Sequence, residues 1–388
     1  MRFSRCYLEI TNRCNLACSF CPKTKRPART LTAEEFRLLA GKLRAYTDYL
    51  YLHVMGEPLL HPQLQALLET ARALGFRVAL TTNGTLLPAR QALLLAAPAL
   101  YKINISLHSF EANVAGSFDD YLSGCFTFAK LAAETGKLVD LRLWNLDGET
   151  TRGQHTQNDA ILAALEAVFP QPWTRNTWGL RLCERVFVHY AEKFDWPDLS
   201  VSEQRDTGTC RALKDQLAVL SDGTVVPCCL DHEGDVPLGN LFSQELDEIL
   251  RALPAQALLS GFAARKLTQP LCRRCGYARR FRLFFRFERF LIILHGSFTV
   301  CSPTKASKKV SYSHREAGER ELPQTGNSDS CFFINAFTKS PLFHKKHADA
   351  FRRPHVFSFF RSTWRANTAG IRPKKAGAAY SAPACRNA

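Results

Sequence analysis

Residues 6–23 read CYLEITNRCNLACSFCPK, a strand-like run, CYLEIT, that gives way at once to Cys14, Cys18 and Cys21 in a CxxxCxxC spacing. Three cysteines on a loop at the C-terminal end of a strand can converge their thiolates on a metal or an iron–sulfur cluster. Tetrahedral structural zinc takes four protein ligands, and no fourth Cys or His lies close by. A [4Fe–4S] cluster held by three cysteines leaves one iron open, so the spacing favours a cluster. Three buried, inert cysteines and zinc completed by a remote ligand are the competing readings.

Outward from this stretch, short β-branched or aromatic runs alternate with amphipathic ones up to about residue 190. The strand candidates are 6–11, 49–55, 76–82, 101–107, 138–144 and 185–190, with room for one helix between neighbours. That alternation predicts βα units around a parallel sheet. Thr32 with Glu35 three residues on forms a capping box, and Phe36, Leu39, Leu43 and Tyr46 make one helical stripe behind it. The next helix has Pro62 at its start, Leu64, Leu67, Leu68 and Ala71 on its inner face and Gly75 as its stop.

Three further motifs fall at the ends of successive strands: VMGEP (54–58), TTNGT (81–85) and ISLH (105–108). Each alone could be an ordinary strand-to-helix turn, since Gly, Pro and Asn are turn residues. Together, and in this order, they matter, because ligands of a βα barrel gather at the C-terminal ends of its strands. With Cys14, Cys18, Cys21 and the aromatic Phe20, residues 5–190 resemble the radical S-adenosylmethionine (SAM) superfamily. The resemblance implies an α/β fold, a partial (β/α)6 open barrel. It implies that Cys14, Cys18 and Cys21 hold a [4Fe–4S] cluster whose open iron chelates SAM, and that reductive cleavage gives a 5′-deoxyadenosyl radical that abstracts hydrogen from a substrate. It further implies SAM contacts from Met55, Gly56, Glu57, Thr82, Asn83 and Ser106, with Arg142 a candidate for the carboxylate; Met55 stands where the family's motif has a first Gly. An electron donor such as flavodoxin or ferredoxin is the expected partner.

A second cysteine group follows from near residue 200. QLAVL, the turn SDG and TVVPCC read as a hairpin, helical segments follow around 243–253 and 255–267, and CRRC closes the group. Four of Cys210, Cys228, Cys229, Cys272 and Cys275 suffice to close a site completely, and spacing alone does not separate zinc from iron–sulfur. Here the chain resembles the SPASM or shorter twitch domain that follows some radical SAM barrels and binds auxiliary [4Fe–4S] clusters. No further Cys at short spacing follows Cys275, so the expectation is one auxiliary cluster on Cys210, Cys228, Cys272 and Cys275, with Cys229 as the alternative to Cys228. Cys6, Cys125 and Cys183 read as buried hydrophobes.

The expected organisation is therefore a barrel over 1–195, a small Cys-rich α+β auxiliary-cluster domain over 196–278 and a tail over 279–388. At roughly 100–200 residues per domain, the 388 residues suit two folded units. The net charge of +16 suggests nucleic acid, until it is placed: residues 279–388 carry 21 of the 51 basic and only 6 of the 35 acidic residues, leaving 30 and 29 in the first 278. The tail also holds 14 of the 27 Phe and no sustained period. It reads as a disordered basic extension, or as sequence not selected as protein, for instance after a shifted reading frame. Nucleic acid and membrane are not expected partners. FLIIL at 290–294 is far short of the roughly 20 residues of a membrane span. The N-terminus lacks the pattern of a secretory leader, so a reducing cytoplasm is the expected compartment. A peptide or protein side chain is the favoured substrate, because an auxiliary domain accompanies such work in the family. A small metabolite or cofactor precursor is the alternative, and a non-catalytic zinc or iron–sulfur module is the reading from another class. No general acid or base stands out.

Overall fold

In the computed structural model, residues 1–113 and 116–285 are described. The six expected barrel strands form, as β1 (Arg5–Leu8), β2 (Tyr49–Tyr51), β3 (Arg77–Thr82), β4 (Leu100–Ser106), β5 (Leu138–Leu146) and β8 (Val186–Glu192), and they pair in that order, all parallel. A short antiparallel pair, β6 (Thr174–Asn176) and β7 (Gly179–Arg181), extends the sheet beyond β8. Helices α1 (Ala33–Leu43), α2 (Leu64–Ala73), α3 (Leu87–Ala96), α4 (His108–Glu111), α5 (Phe118–Glu134) and α6 (Asn158–Val168) lie between the strands. The Thr32–Glu35 capping box forms as expected, and Phe36, Leu39 and Leu43 are buried, while Tyr46 lies past the end of α1.

Period-two alternation gives the strands two different faces. Ile103, Ile105, Val139, Leu141, Leu143, Val186 and Val188 enter the apolar core, whereas Lys102, Ser106, Asp140, Arg142, Trp144 and His189 line an internal cavity. A polar inner layer in otherwise apolar strands marks the inside of this barrel as the place of function.

The auxiliary segment does not stand apart from the barrel. The hairpin β9 (Gln216–Val219) and β10 (Thr224–Val226) forms around Gly223 at φ 85°, with β11 (Gly239–Asn240) beside it. Yet β9 also pairs parallel with β1, from Arg5 opposite Gln216 to Leu8 opposite Val219, so barrel and hairpin share one sheet. Helices α7 (Leu246–Arg251), α8 (Leu253–Ala263) and α9 (Pro270–Arg273) complete the segment. Contacts to the two segments continue past residue 278. A 3-10 turn runs over Tyr277–Phe285, Arg279 Nη2 donates to Gln204 Oε1 at 2.8 Å, and Arg280 Nη2 donates to the Glu192 carbonyl at 2.6 Å. The remainder of the expected tail, 286–388, lies outside the described residues. No helix among the described residues is long and apolar enough to cross a membrane.

Candidate active site and auxiliary cysteine site

The cysteine loop leaves the C-terminal end of β1 and is tied down by groups around it. Cys14 Sγ accepts the Leu16 N–H at 3.5 Å, Cys21 Sγ accepts the Lys23 N–H at 3.4 Å and Cys18 Sγ accepts the Asn113 side-chain amide at 3.0 Å. Asn113 also accepts the Ala17 N–H at 3.0 Å, so it clamps the loop from just past α4. The sequence offered no signal for it. Burial raises the Cys14 and Cys21 thiols, and the neighbouring sulfurs raise both further. Such thiols ionise when iron binds, and the N–H donors then stabilise the sulfur charge.

The strand-end motifs close around this loop. Gly56 has φ +79°, and a Cβ there would stand 2.5 Å from the Thr11 carbonyl oxygen and 2.8 Å from that of Arg13. Glu57 N donates to the Arg13 carbonyl at 2.8 Å. The Glu57 side chain is 1% exposed; Oε1 accepts Leu59 N at 3.0 Å and Oε2 accepts Asn83 N at 2.7 Å, so the carboxylate fastens VMGEP to TTNGT. Burial pushes its pKa up to about 7, against the pull of the Asn83 and Leu59 N–H groups and the Thr82 hydroxyl. Thr82 Oγ1 accepts the Gly84 N–H, and Asn83 Nδ2 donates to Asn15 Oδ1 at 2.9 Å, joining the third strand to the cysteine loop. Met55 N donates to Glu9 Oε1 at 3.1 Å. Ser106 lines the cavity at the end of β4, two residues before His108, whose ring packs on Phe20 at 4.8 Å. The structure thus brings Gly56, Glu57, Thr82 and Asn83 to the base of the loop. Arg142 stands beside Ser106 in register, with its charge felt by His108, and lies near Asp140, Tyr7, Tyr51 and Cys229.

A Gly56→Ala variant is expected to lose about 1–2 kcal/mol from the left-handed backbone alone, with further loss from the carbonyl clash, and to load less iron at the first site. Denaturant midpoints and iron content check this; wild-type values for both would contradict it.

Cys210, Cys228, Cys272 and Cys275 gather at the other end of the cavity. Burial raises Cys228 well above its ordinary value, and Cys210, Cys229, Cys275 and Cys272 all add to the rise. Burial likewise pushes Cys272 to about 12 and Cys275 to about 11. Backbone N–H groups of Arg211 and Ala212 reach Cys210, and those of Tyr277 and Ala278 reach Cys275, the same sulfur-directed pattern as in the first loop. Cys229 lines the same cavity and lies near Cys210 and Cys228, but its thiol shares a hydrogen bond with Tyr7 and has Arg5 nearby. As the side chains stand, no three His, Cys, Asp or Glu among the described residues could hold one metal ion between them. The donor sets nevertheless fit iron–sulfur clusters, because both are all-thiol and supplied with N–H donors to sulfur, the auxiliary set half-buried and the first set open at Cys14.

Between the two sites lies a cavity of about 480 Å3. Within it Lys102 Nζ is paired with Asp140 Oδ2, which also takes His189 Nδ1 at 3.3 Å. Although burial works against ionisation of Asp140, His189 and Lys102 hold its pKa below the ordinary value. None of these three residues stood out in the sequence.

Comparison with known proteins agrees with this geometry. Residues 8–139 match the radical SAM superfamily, and residues 210–276 match the SPASM iron–sulfur cluster-binding domain. A probable GTP 3′,8-cyclase of Methanocella arvoryzae is 33% identical over 290 residues, covering 64% of this chain and 89% of the relative. A GTP 3′,8-cyclase of Synechococcus sp. strain CC9902 is 40% identical over 113 residues, 27% of this chain; the chain spans only 32% of the length of that relative. The crystal structure of Streptococcus suis SuiB bound to S-adenosylmethionine superimposes with a TM-score of 0.47 at 14% identity, covering 71% of this chain and 70% of SuiB. Matched in its barrel, in its auxiliary segment and along most of one relative, the chain belongs to the radical SAM superfamily, as an enzyme that uses SAM and a [4Fe–4S] cluster and carries an auxiliary iron–sulfur domain.

Proposed function

We propose that the substrate is a small molecule held in the cavity between the two cysteine sites. In this reading Cys14, Cys18 and Cys21 ligate the SAM-binding cluster, while Cys210, Cys228, Cys272 and Cys275 ligate one auxiliary cluster. The cavity carries the proposal: about 480 Å3 falls in the range of roughly 300–1,000 Å3 typical of small-molecule sites, and one wall reaches Phe20 while another reaches Cys228 and Cys272. The names of the matched cyclases, which point to GTP, also favour a small substrate over the peptide that the sequence favoured.

When bound, SAM and the reduced cluster supply a 5′-deoxyadenosyl radical able to take hydrogen from an unactivated carbon. The chain's own residues do the rest. Gly56, Glu57, Thr82 and Asn83 hold the SAM side in register with the cysteine loop, and Met55 and Ser106 border it. Phe194, Trp196 and Tyr277 wall the cavity and would limit the water inside it. Cys228 enters the auxiliary set and Cys229 does not, because its thiol is engaged with Tyr7. A flavodoxin or ferredoxin is the proposed electron donor.

The test uses anaerobic protein with SAM, dithionite and a cell extract split by size filtration. The low-mass fraction, or GTP alone, is expected to stimulate 5′-deoxyadenosine formation. Stimulation by the macromolecular fraction only would overturn the small-molecule reading and restore the peptide.

A further inference from the structure

We propose that Arg5, His53 and Arg142 form a receptor for an oxyanion of the substrate, a carboxylate or a phosphate group, on the wall of the cavity nearest the auxiliary cysteines. The inference rests on the small-molecule reading above and names the chemistry of that molecule. Arg5 comes from β1, His53 follows β2 and Arg142 comes from β5, and all three line the cavity. Each keeps a buried nitrogen without a hydrogen-bond partner: Arg5 Nε, His53 Nδ1 and Arg142 Nε.

Arg142 is the decisive case. Its guanidinium lies over the Trp144 ring at 4.4 Å, and among the described residues no carboxylate pairs with it. Asp140, the acid whose charge it feels most, gives its Oδ2 to Lys102 and His189 instead. The contrast with Arg26 is direct, since that arginine grips both oxygens of buried Glu9. A buried guanidinium without an anion is costly to a fold, and a planar fork of donors matches a carboxylate or phosphate edge. Burial draws the Arg142 pKa down, and burial together with the Arg142 charge lowers His53 to about 3, so His53 is a neutral ring that can donate one hydrogen bond without adding repulsion.

Arg5 and Cys229 draw the receptor toward the auxiliary side, while Arg142 also stands beside Ser106 and near His108, which packs on Phe20, so titration with SAM decides between substrate and SAM as its ligand. Arg5 lies over the Tyr51 ring at 5.7 Å, and Tyr7 packs on Tyr51 at 5.1 Å and on His53 at 5.3 Å, so these rings join the three donors into one wall. Arg142 feels the same Tyr7 and Tyr51 together with Cys229 on the auxiliary side. Glu57 and Asn83, at the foot of the cysteine loop, belong to a different set of contacts. In this proposal Arg142 serves the substrate instead of the SAM carboxylate, for which the sequence made it a candidate.

The experiment is calorimetric titration of the full, cluster-loaded chain under nitrogen with inorganic pyrophosphate, with malonate and with SAM. At least one of the two anions is expected to saturate a single site, and which one does identifies phosphate or carboxylate. Arg142→Gln is expected to weaken that anion by about tenfold or more and Arg5→Gln by several-fold, with SAM affinity held within about twofold. Arg142→Lys keeps the charge, loses the fork and is expected to fall between them. Retained SAM binding in each variant reports an intact fold. Absence of saturation by either anion, or variants that bind it as well as the parent, would overturn the proposal. So would a loss confined to SAM in Arg142→Gln, which would return the guanidinium to the SAM carboxylate. If neither anion binds while low-mass extract still stimulates 5′-deoxyadenosine formation, the oxyanion receptor fails and the small-molecule reading stands.

Discussion

In the Cys18→Ala variant, 5′-deoxyadenosine formation from SAM is expected to fall to background while about half of the iron remains. Cys18 is the middle cysteine of the first loop, where Asn113 donates to its sulfur, and loss of one of three ligands leaves two thiolates to hold a cluster that already has an open iron. The auxiliary cysteines lie at the other end of the cavity and use their own N–H donors, so their iron is untouched. Cys272→Ala is expected to do the reverse, with auxiliary iron lost and the first cluster retained. Iron analysis and product chromatography on the two variants, prepared in parallel, check both statements. Wild-type SAM cleavage by Cys18→Ala would show that the first loop does not hold the SAM-binding cluster.

Glu9→Ala is expected to destabilise the fold by about 3–5 kcal/mol, the cost of leaving one member of a buried ion pair alone. Glu9 is 0% exposed. Its Oε1 accepts Arg26 Nη2 at 2.7 Å and Met55 N at 3.1 Å, and its Oε2 accepts Arg26 Nη1 at 2.8 Å and Ser221 N at 3.0 Å. One carboxylate therefore joins the end of β1, the cysteine loop, the VMGEP motif and the turn of the auxiliary hairpin. Removal strands the Arg26 charge and two backbone N–H groups in the interior. Arg26 Nε, which donates to the His232 carbonyl at 2.8 Å, ties the same charge to the auxiliary segment, so the loss should be felt on both sides. A denaturant titration reads the difference, and a loss below about 1 kcal/mol would contradict the role assigned to Glu9.

Much of this architecture was legible in the sequence because its signals are local. A capping box, an Asp-Gly hairpin tip and period-two strands each rest on residues a few positions apart, and the order of cysteine loop, VMGEP, TTNGT and ISLH follows from strand ends. What was hidden depends on partners far along the chain. Nothing local says that β9 lies against β1, since the edge of a parallel sheet accepts any extended segment of matching pattern. Glu9 reads as one polar residue in a strand, and only its contacts with Arg26 and Ser221 make it a hub. Asn113 sits 95 residues from the cysteine whose sulfur it meets. Lys102, Asp140 and His189 each look like one member of an ordinary polar alternation until three adjacent strands align them. Charge misled in the opposite direction, since most of the net excess falls in the last 110 residues and says nothing of the cavity.

The central claim, that the first cysteine loop supports SAM cleavage, is tested most directly by anaerobic purification followed by incubation with SAM and dithionite. A brown protein with iron for about two clusters that releases 5′-deoxyadenosine is the predicted result. A colourless protein with stoichiometric zinc and no 5′-deoxyadenosine would contradict it.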